Sequence, residues 1–322
     1  NQDFFTKLNF YLKMAQSDRP IAHCPFPIPK NMNLKLEEIK TPVSTYKTQS
    51  SDTSIEAELV QFHLWRNLAP EQKETLVRRV IQRVPKLILM EIKNRFARAS
   101  EAEIIRQYII RRWGEKWSKI LSADSQTKLM LEDPILLARR VTAILESLDI
   151  SYYVCGSVAS SLQGEIRYTQ DLDLVIEIEP VKARLLIEAM AGEFYISEVA
   201  VEEALSGKTS SFNVIHLETV EKADLFVMGE DEFSRVQMLR RRLHVPGENR
   251  SFYVSSPEDT VLHKLIWFGM TGGESQKQWR DLLGVLKLQG ESLDVDYMRE
   301  WGEKLGLGRE LNRAFGEAGF CF

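Results

Sequence analysis

The sequence predicts an α+β fold, on three observations. From Asp133 to Val254 short aliphatic stretches alternate with amphipathic helical ones. From Ser255 onward the texture is helical, and a second helical stretch, Ile55 to Leu121, precedes the mixed region. Apolar residues recurring at helical spacing, against strict alternation, distinguish the two kinds of segment. The expected layout is a poorly ordered leader and linker over residues 1–51 and a basic helical module over 52–123. A mixed β-sheet core with flanking helices over 132–254 and a helical C-terminal part over 255–322 complete it.

In order, "FFTKLNFYLKMA" has the spacing of a short amphipathic helix, but "RPIAHCPFPIPKN" carries four prolines and "STYKTQSSDTS" reads as a polar linker. The first residue is Asn, and Met32 is an alternative initiator. In "IEAELVQFHLWRNL" Leu59, Phe62, Leu64 and Trp65 recur helically. "APEQKETLVRRVIQRVPKLILMEIKNRF" places Pro70 where a first-turn proline is tolerated. "SEAEIIRQYIIRRWGEKW" opens with Ser100 and Glu103 at capping-box spacing. Between Lys73 and Lys119 there are 13 Lys or Arg against 5 Glu, a local charge of +8 in a chain whose net charge is −4. Two readings stand: solvated helix faces with arginine stems over apolar surface, or a surface for nucleic acid or an acidic partner.

In the core, "DPILLARRVTAILESLDI" is a helix, "SYYVCGS" a strand ending in a turn, "DLDLVIEI" a second strand and "PVKARLLIEAMAGEF" a helix. "SFNVIHL" and "KADLFVM" form a strand pair, and "MLRRRLHV", with Arg240 to Arg242, reads as a charged edge strand. Ser256-Pro257-Glu258-Asp259 is a strong helix start, with a capping serine, a first-turn proline and acids at the positive dipole end.

At 44% hydrophobic and 27% charged residues the composition is that of a soluble globular chain. Cys24, Cys155 and Cys321 are far apart and odd in number, which argues against a disulfide framework or zinc knuckle and for a reducing cytoplasm. No run has membrane-spanning length. The five histidines are scattered, without triad or metal spacing.

The chemistry concentrates between Gly156 and Ile178. In "DLDLVIEI" alternation turns Leu172, Leu174 and Ile176 one way and Asp171, Asp173 and Val175 the other. Two carboxylates side by side repel unless a cation sits between them, and Mg²⁺ suits a site of few carboxylates completed by water and phosphate oxygens. Asp224, an isolated acid opening an apolar strand, offers a third ligand. Gly156 and Ser157 end a strand and begin a helix, the arrangement whose free N–H groups hold phosphate.

Gly156-Ser157, thirteen residues, Asp171-Leu172-Asp173 and then Asp224 resemble the nucleotidyltransferase superfamily that includes DNA polymerase β. "GEIRYTQDLDLVI" is similar to that family's approach to its acid pair, with Arg167 and Thr169 upstream. "SPEDTVLHKLIWF" and "QWRDLLGVLK" look like the helical part of minimal bacterial members, the abortive-infection nucleotidyltransferase toxins, with Lys264, Arg280 and Asp281 in the matching places. The resemblance covers about residues 133–310 and implies two Mg²⁺ ions, replaceable by Mn²⁺, on Asp171, Asp173 and Asp224. It implies an NTP bound by Gly156, Ser157, Arg167, Thr169, Lys264, Arg280 and Asp281, Lys264 being catalytic as well. The implied reaction moves NMP to a macromolecular acceptor, a tRNA or other RNA end or a protein, as the toxin of a toxin–antitoxin or phage-defence system. Residues 52–121 look like the small helical proteins that accompany such enzymes, so the antitoxin is either fused within this chain or separate. Two alternatives stay open: transfer to a small molecule such as an aminoglycoside, and a catalytically silent nucleotide- or nucleic-acid-binding module.

Overall fold

The computed structural model describes residues 44–115, 118, 133–247 and 249–320. The expectations for residues 1–43, including the Phe4–Ala15 helix and the Met32 start, lie outside the described residues, as does the end of the basic module from 119 to 123.

Among the described residues three helices come first: α1 (Ile55–Arg66), α2 (Pro70–Arg95) and α3 (Glu101–Trp113). Ser100 caps α3 as its sequence signature predicts, accepting from the Glu103 N–H. The mixed region follows as α4 (Pro134–Ser147), β1 (Ser151–Cys155), α5 (Gly156–Gln163), β2 (Leu172–Glu177), α6 (Pro180–Met190), β3 (Phe194–Ile196) and α7 (Glu198–Leu205). It continues through β4 (Ser211–His216), β5 (Lys222–Val227), α8 (Glu232–Arg240), β6 (Arg242–His244) and β7 (Phe252–Val254). Four helices close it: α9 (Pro257–Met270), α10 (Gln276–Gln289), α11 (Val295–Lys304) and α12 (Gly308–Ala318). Ser256 caps α9 by accepting from the Asp259 N–H at 3.1 Å. The fold is α+β.

Among the described residues seven strands form one mixed sheet in the order β3-β4-β5-β2-β1-β7-β6. Alternation decides its two faces. Leu172, Leu174, Ile176 and Leu225 are fully buried on one face, beneath Val141 and Leu145 of α4 and Leu186 of α6. Burying each such side chain contributes about 2 kcal/mol. On the opposite face the apolar cover is small: Tyr153 and Val175 meet Met238 of α8. No helix among the described residues is long and apolar enough to cross a membrane.

Several elements differ from the sequence reading. Strand β2 starts at Leu172, so Asp171 stands in the loop just before it. The expected helix over "PVKARLLIEAMAGEF" stops at Met190, and Phe194 opens edge strand β3. The triple arginine is not one strand: Arg240 ends α8, Arg241 caps it and Arg242 begins edge strand β6. Asp231 starts that helix by accepting from the Ser234 N–H at 2.9 Å, and Phe233 and Met238 bury its inner side. Basic residues accept either conformation, so the cap and the apolar anchors decide.

The N-terminal helices are bound to the core by buried polar contacts. Arg139 donates to both carboxylate oxygens of Glu74 at 2.6 and 2.7 Å, and Arg78 to Asp133 at 2.6 Å. Lys287 of α10 pairs with Glu58 of α1 at 2.6 Å, both side chains 2% exposed. The Tyr46 hydroxyl donates to the same carboxylate at 2.7 Å. The stretch expected as a polar linker therefore begins as a packed segment, because Glu58 and Lys287 supply it with buried partners.

Candidate active site

Strand pairing brings the acids together. β2 runs antiparallel to β1 and parallel to β5, and the registers place Cys155 opposite Asp173 and Asp173 opposite Asp224. Neighbouring strands are about 4.8 Å apart, so Asp173 and Asp224 project from adjacent backbones on the same face, the one left thinly covered. Gly156 then follows Cys155 with φ +61. A Cβ there would lie 2.0 Å from Asp173 Oδ2, so glycine is needed for conformation and for clearance alike. Asp171 is exposed, one residue ahead of the strand.

The loop before Asp171 is fixed by its polar side chains. Ser157 and Thr169 share a hydrogen bond at 2.5 Å, both buried, which ties the first turn of α5 to the loop. Arg167 donates through Nε and Nη2 to the two oxygens of Asp281 at 2.5 and 2.6 Å. Lys264 donates to Asp281 Oδ2 at 2.8 Å, with its side chain only 7% exposed. Asp281 thus bridges Lys264 of α9 and Arg167 of the loop from its place on α10. Arg280 is turned elsewhere: it forms a two-bond pair with Glu165 at 2.6 and 2.7 Å and is half exposed.

The electrostatics follow from this placement. Burial, then the negative charges of Asp224 and Asp171, raise Asp173 above the usual aspartate range, with Lys264 and Lys222 opposing. Burial lowers Lys264 although Asp281 pulls it the other way. Asp281 is lowered: burial acts against its charge, but the Arg167 hydrogen bond and the Lys264 charge more than offset that. Burial, then Asp173, pushes the Cys155 thiol well up. Like charges on neighbouring strand ends repel, and Lys222 and Lys264 offset part of that repulsion. Among the described residues no three acid, His or Cys side chains form a ready-made metal cage. The donor set is a few carboxylates at an accessible strand end beside a close-approach glycine. That set fits a hard cation which takes one or two carboxylates and completes its shell with water and phosphate, as Mg²⁺ does.

Lys222 is a member of the group that the sequence reading missed. Its ammonium pairs with Asp224 Oδ2 at 2.8 Å and is 41% exposed. Burial works against its charge, but Asp224, then Asp171 and Asp173, hold it above the usual lysine value. Its position two residues before Asp224 puts both on one strand face, and that spacing is visible in "EKADLFVM". Of the expected residues, the fold brings Asp171, Asp173, Asp224 and Gly156 to one strand end, with Ser157 and Thr169 behind them. Lys264 acts on Asp173 through its charge.

No protein-family model matches the chain, and no curated protein matches it. Among solved structures it is similar to an antigenic nucleotidyltransferase-like protein from Paracoccidioides brasiliensis, at 18% identity and TM-score 0.38, over 59% of this chain and 94% of that one. It is also similar to the antibiotic-resistance factor ANT(2'')-Ia, at 12% identity and TM-score 0.37, over 55% and 95%. A third is the Vibrio cholerae DncV cyclic AMP-GMP synthase, solved with nonhydrolyzable GTP, at 15% identity and TM-score 0.20, over 68% and 61%. Likenesses this faint leave function to be read from the site itself.

Proposed function

We propose that this chain is a nucleotidyltransferase of the DNA polymerase β-like superfamily, moving NMP from an NTP to an acceptor hydroxyl. The observation that carries the reading is the register that sets Asp224 beside Asp173 on parallel neighbouring strands, with Gly156 against Asp173 Oδ2. Asp171, Asp173 and Asp224 would hold Mg²⁺, two ions in the full site, with Mn²⁺ as a substitute. When bound, these ions supply positive charge to the phosphates and to the entering and leaving oxygens. The first N–H groups of α5 face the triphosphate, and Gly156 lets it approach the backbone. Lys264, oriented by Asp281, neutralises phosphate charge. The acceptor oxygen bonds to the α-phosphorus as the bond to the β-phosphate bridge breaks, pyrophosphate leaves, and Asp224 takes the hydroxyl proton.

The acceptor favoured is macromolecular, an RNA end or a protein, as the likeness to abortive-infection toxins implies. Transfer to an aminoglycoside-like molecule and silent nucleotide binding are the rival readings. The test is incubation with α-labelled NTPs and Mg²⁺ in three arms: total RNA, total protein and aminoglycosides. Label is expected in a macromolecular arm for the wild type and absent from Asp171→Ala/Asp173→Ala. Equal labelling by both proteins would falsify the enzyme reading.

A further inference from the structure

The basic module contains a feature the transfer reading does not use. On α2, Arg79, Arg83, Lys86, Met90 and Lys93 are all exposed and follow one another at steps of four, three, four and three residues. At 3.6 residues per turn they fall within about 40° of a single line, and the 14-residue span is about 21 Å long. Among the described residues Arg79, Arg83 and Lys93 have no ion-pair partner, and Lys86 has only a 3.4 Å bond to Gln82. The acids of α2 beyond its first turn are engaged elsewhere: Glu74 is buried on Arg139, and Glu91 pairs with Arg111 at 3.1 Å. A neighbouring cation, Arg78, is already held by Asp133. Among the described residues the stripe is therefore a row of uncompensated charge of one sign, in a chain whose net charge is −4.

The same hairpin reaches the active-site loop. Arg112, in the last turn of α3, donates to the Tyr168 hydroxyl at 2.7 Å, three residues before Asp171. Lys73, near the start of α2, donates to the Gly164 carbonyl at 3.0 Å. Both ends of this contact fix the module against the segment that delivers the acid pair.

We infer that the α2 stripe binds the phosphate backbone of single-stranded RNA. Regularly spaced cations without interspersed acids match a uniformly charged polymer. The exposed Met90 within the stripe and Leu87 on its flank, 59% and 58% exposed, offer apolar surface to unstacked bases, which a duplex does not present. A ribose end also carries two hydroxyls able to accept a nucleotide. The binding assignment stands on the stripe; its role in delivering the acceptor rests on the proposed transfer activity.

The experiment is fluorescence anisotropy of the full chain with a labelled single-stranded RNA of about 20 nucleotides, without NTP or metal, over a salt series. Matching arms use DNA of the same sequence and poly-glutamate. The expected result is RNA binding that R79E/R83E/K93E weakens at least about tenfold, with the salt slope shallower by about 2, from roughly 0.7 per lost contact. R79Q/R83Q/K93Q, checked by circular dichroism, should lose less affinity in the same direction. Binding unchanged in both variants, no RNA binding by the wild type, tighter binding to poly-glutamate, or a tenfold preference for DNA would each overturn the assignment. Asp173→Asn separates the two readings, since RNA binding should survive in it whether or not transfer occurs.

Discussion

Asp173 is held by the fold in a state that its neighbours oppose. Burial and two nearby carboxylates raise its proton affinity above that of the unfolded chain. Above the ordinary carboxylate range the folded form therefore retains a proton that the unfolded form has lost, and stability falls as pH rises through that window. Asp173→Asn is expected to remove this decline, raising the Tm at pH 7 by a few degrees while cutting labelling at least about a hundredfold. Thermal melts from pH 4 to 8 beside the labelling assay check both halves, and a lowered Tm at neutral pH would contradict the repulsion. Lys222 makes the complementary case. Its ammonium pairs with Asp224 Oδ2 at 2.8 Å and so competes by charge with a cation bound there. Lys222→Met should tighten Mn²⁺ binding several-fold in the absence of nucleotide, as read by electron paramagnetic resonance titration.

At the scale of elements, the site depends on how closely helices approach. A Cβ on Gly284 of α10 would come within 2.8 Å of the Glu165 N and 2.9 Å of its Cβ, while one on Gly164 would meet the Val285 N at 2.6 Å. Two glycines let α10 lie against the end of α5 and so set Asp281 beside Arg167. Gly284→Ala is expected to destabilise the protein by about 1–3 kcal/mol. It should also lower activity by displacing the loop that ends at Asp171, which denaturant unfolding and labelling measured together would show. Where α2 meets that same corner, burial lowers Lys73 from 10.5 to about 7. Between those values the unfolded chain binds a proton that the folded chain does not, so stability rises with pH from about 7 to 10.5. Lys73→Met should abolish that rise and stabilise most below pH 7, where the buried ammonium is charged. Parallel pH slopes for the two proteins would show that this buried lysine carries no such cost.

Across the molecule, the N-terminal helices share the main core. Val77 and Ile81 of α2 are fully exposure-free members of the cluster that also contains Leu172 and Leu225. The Glu58–Lys287 pair joins α1 to α10 at 2.6 Å, and the Lys287 ammonium also lies 4.3 Å from the centre of the Tyr46 ring. Removing one partner of a buried pair strands the other charge and costs about 3–5 kcal/mol, a large share of a typical stability of about 5–15 kcal/mol. Glu58→Gln is therefore expected to lower a single calorimetric transition for the whole described unit. Separate melting of the N-terminal helices, with the rest unchanged, would refute that coupling.

The helices and strands with local signals were legible in the sequence: the Ser100 and Ser256 caps, and the alternation of "DLDLVIEI". Asp171, Asp173, Asp224 and the Gly-Ser step stood out because charge inside aliphatic strands is conspicuous at any distance from a partner. Their convergence was not legible, since β2 and β5 pair across about fifty residues and register is fixed only when both strands bury their apolar faces. Lys222, the turning of Arg280 to Glu165, and the burial of Lys73 likewise escaped, because a lone basic residue reads the same in sequence whether it meets water, a carboxylate or a carbonyl. Local patterning determined which elements form and which side chains carry the chemistry; tertiary packing alone decided which charges share a low-dielectric neighbourhood, because that depends on backbones brought together from distant parts of the chain.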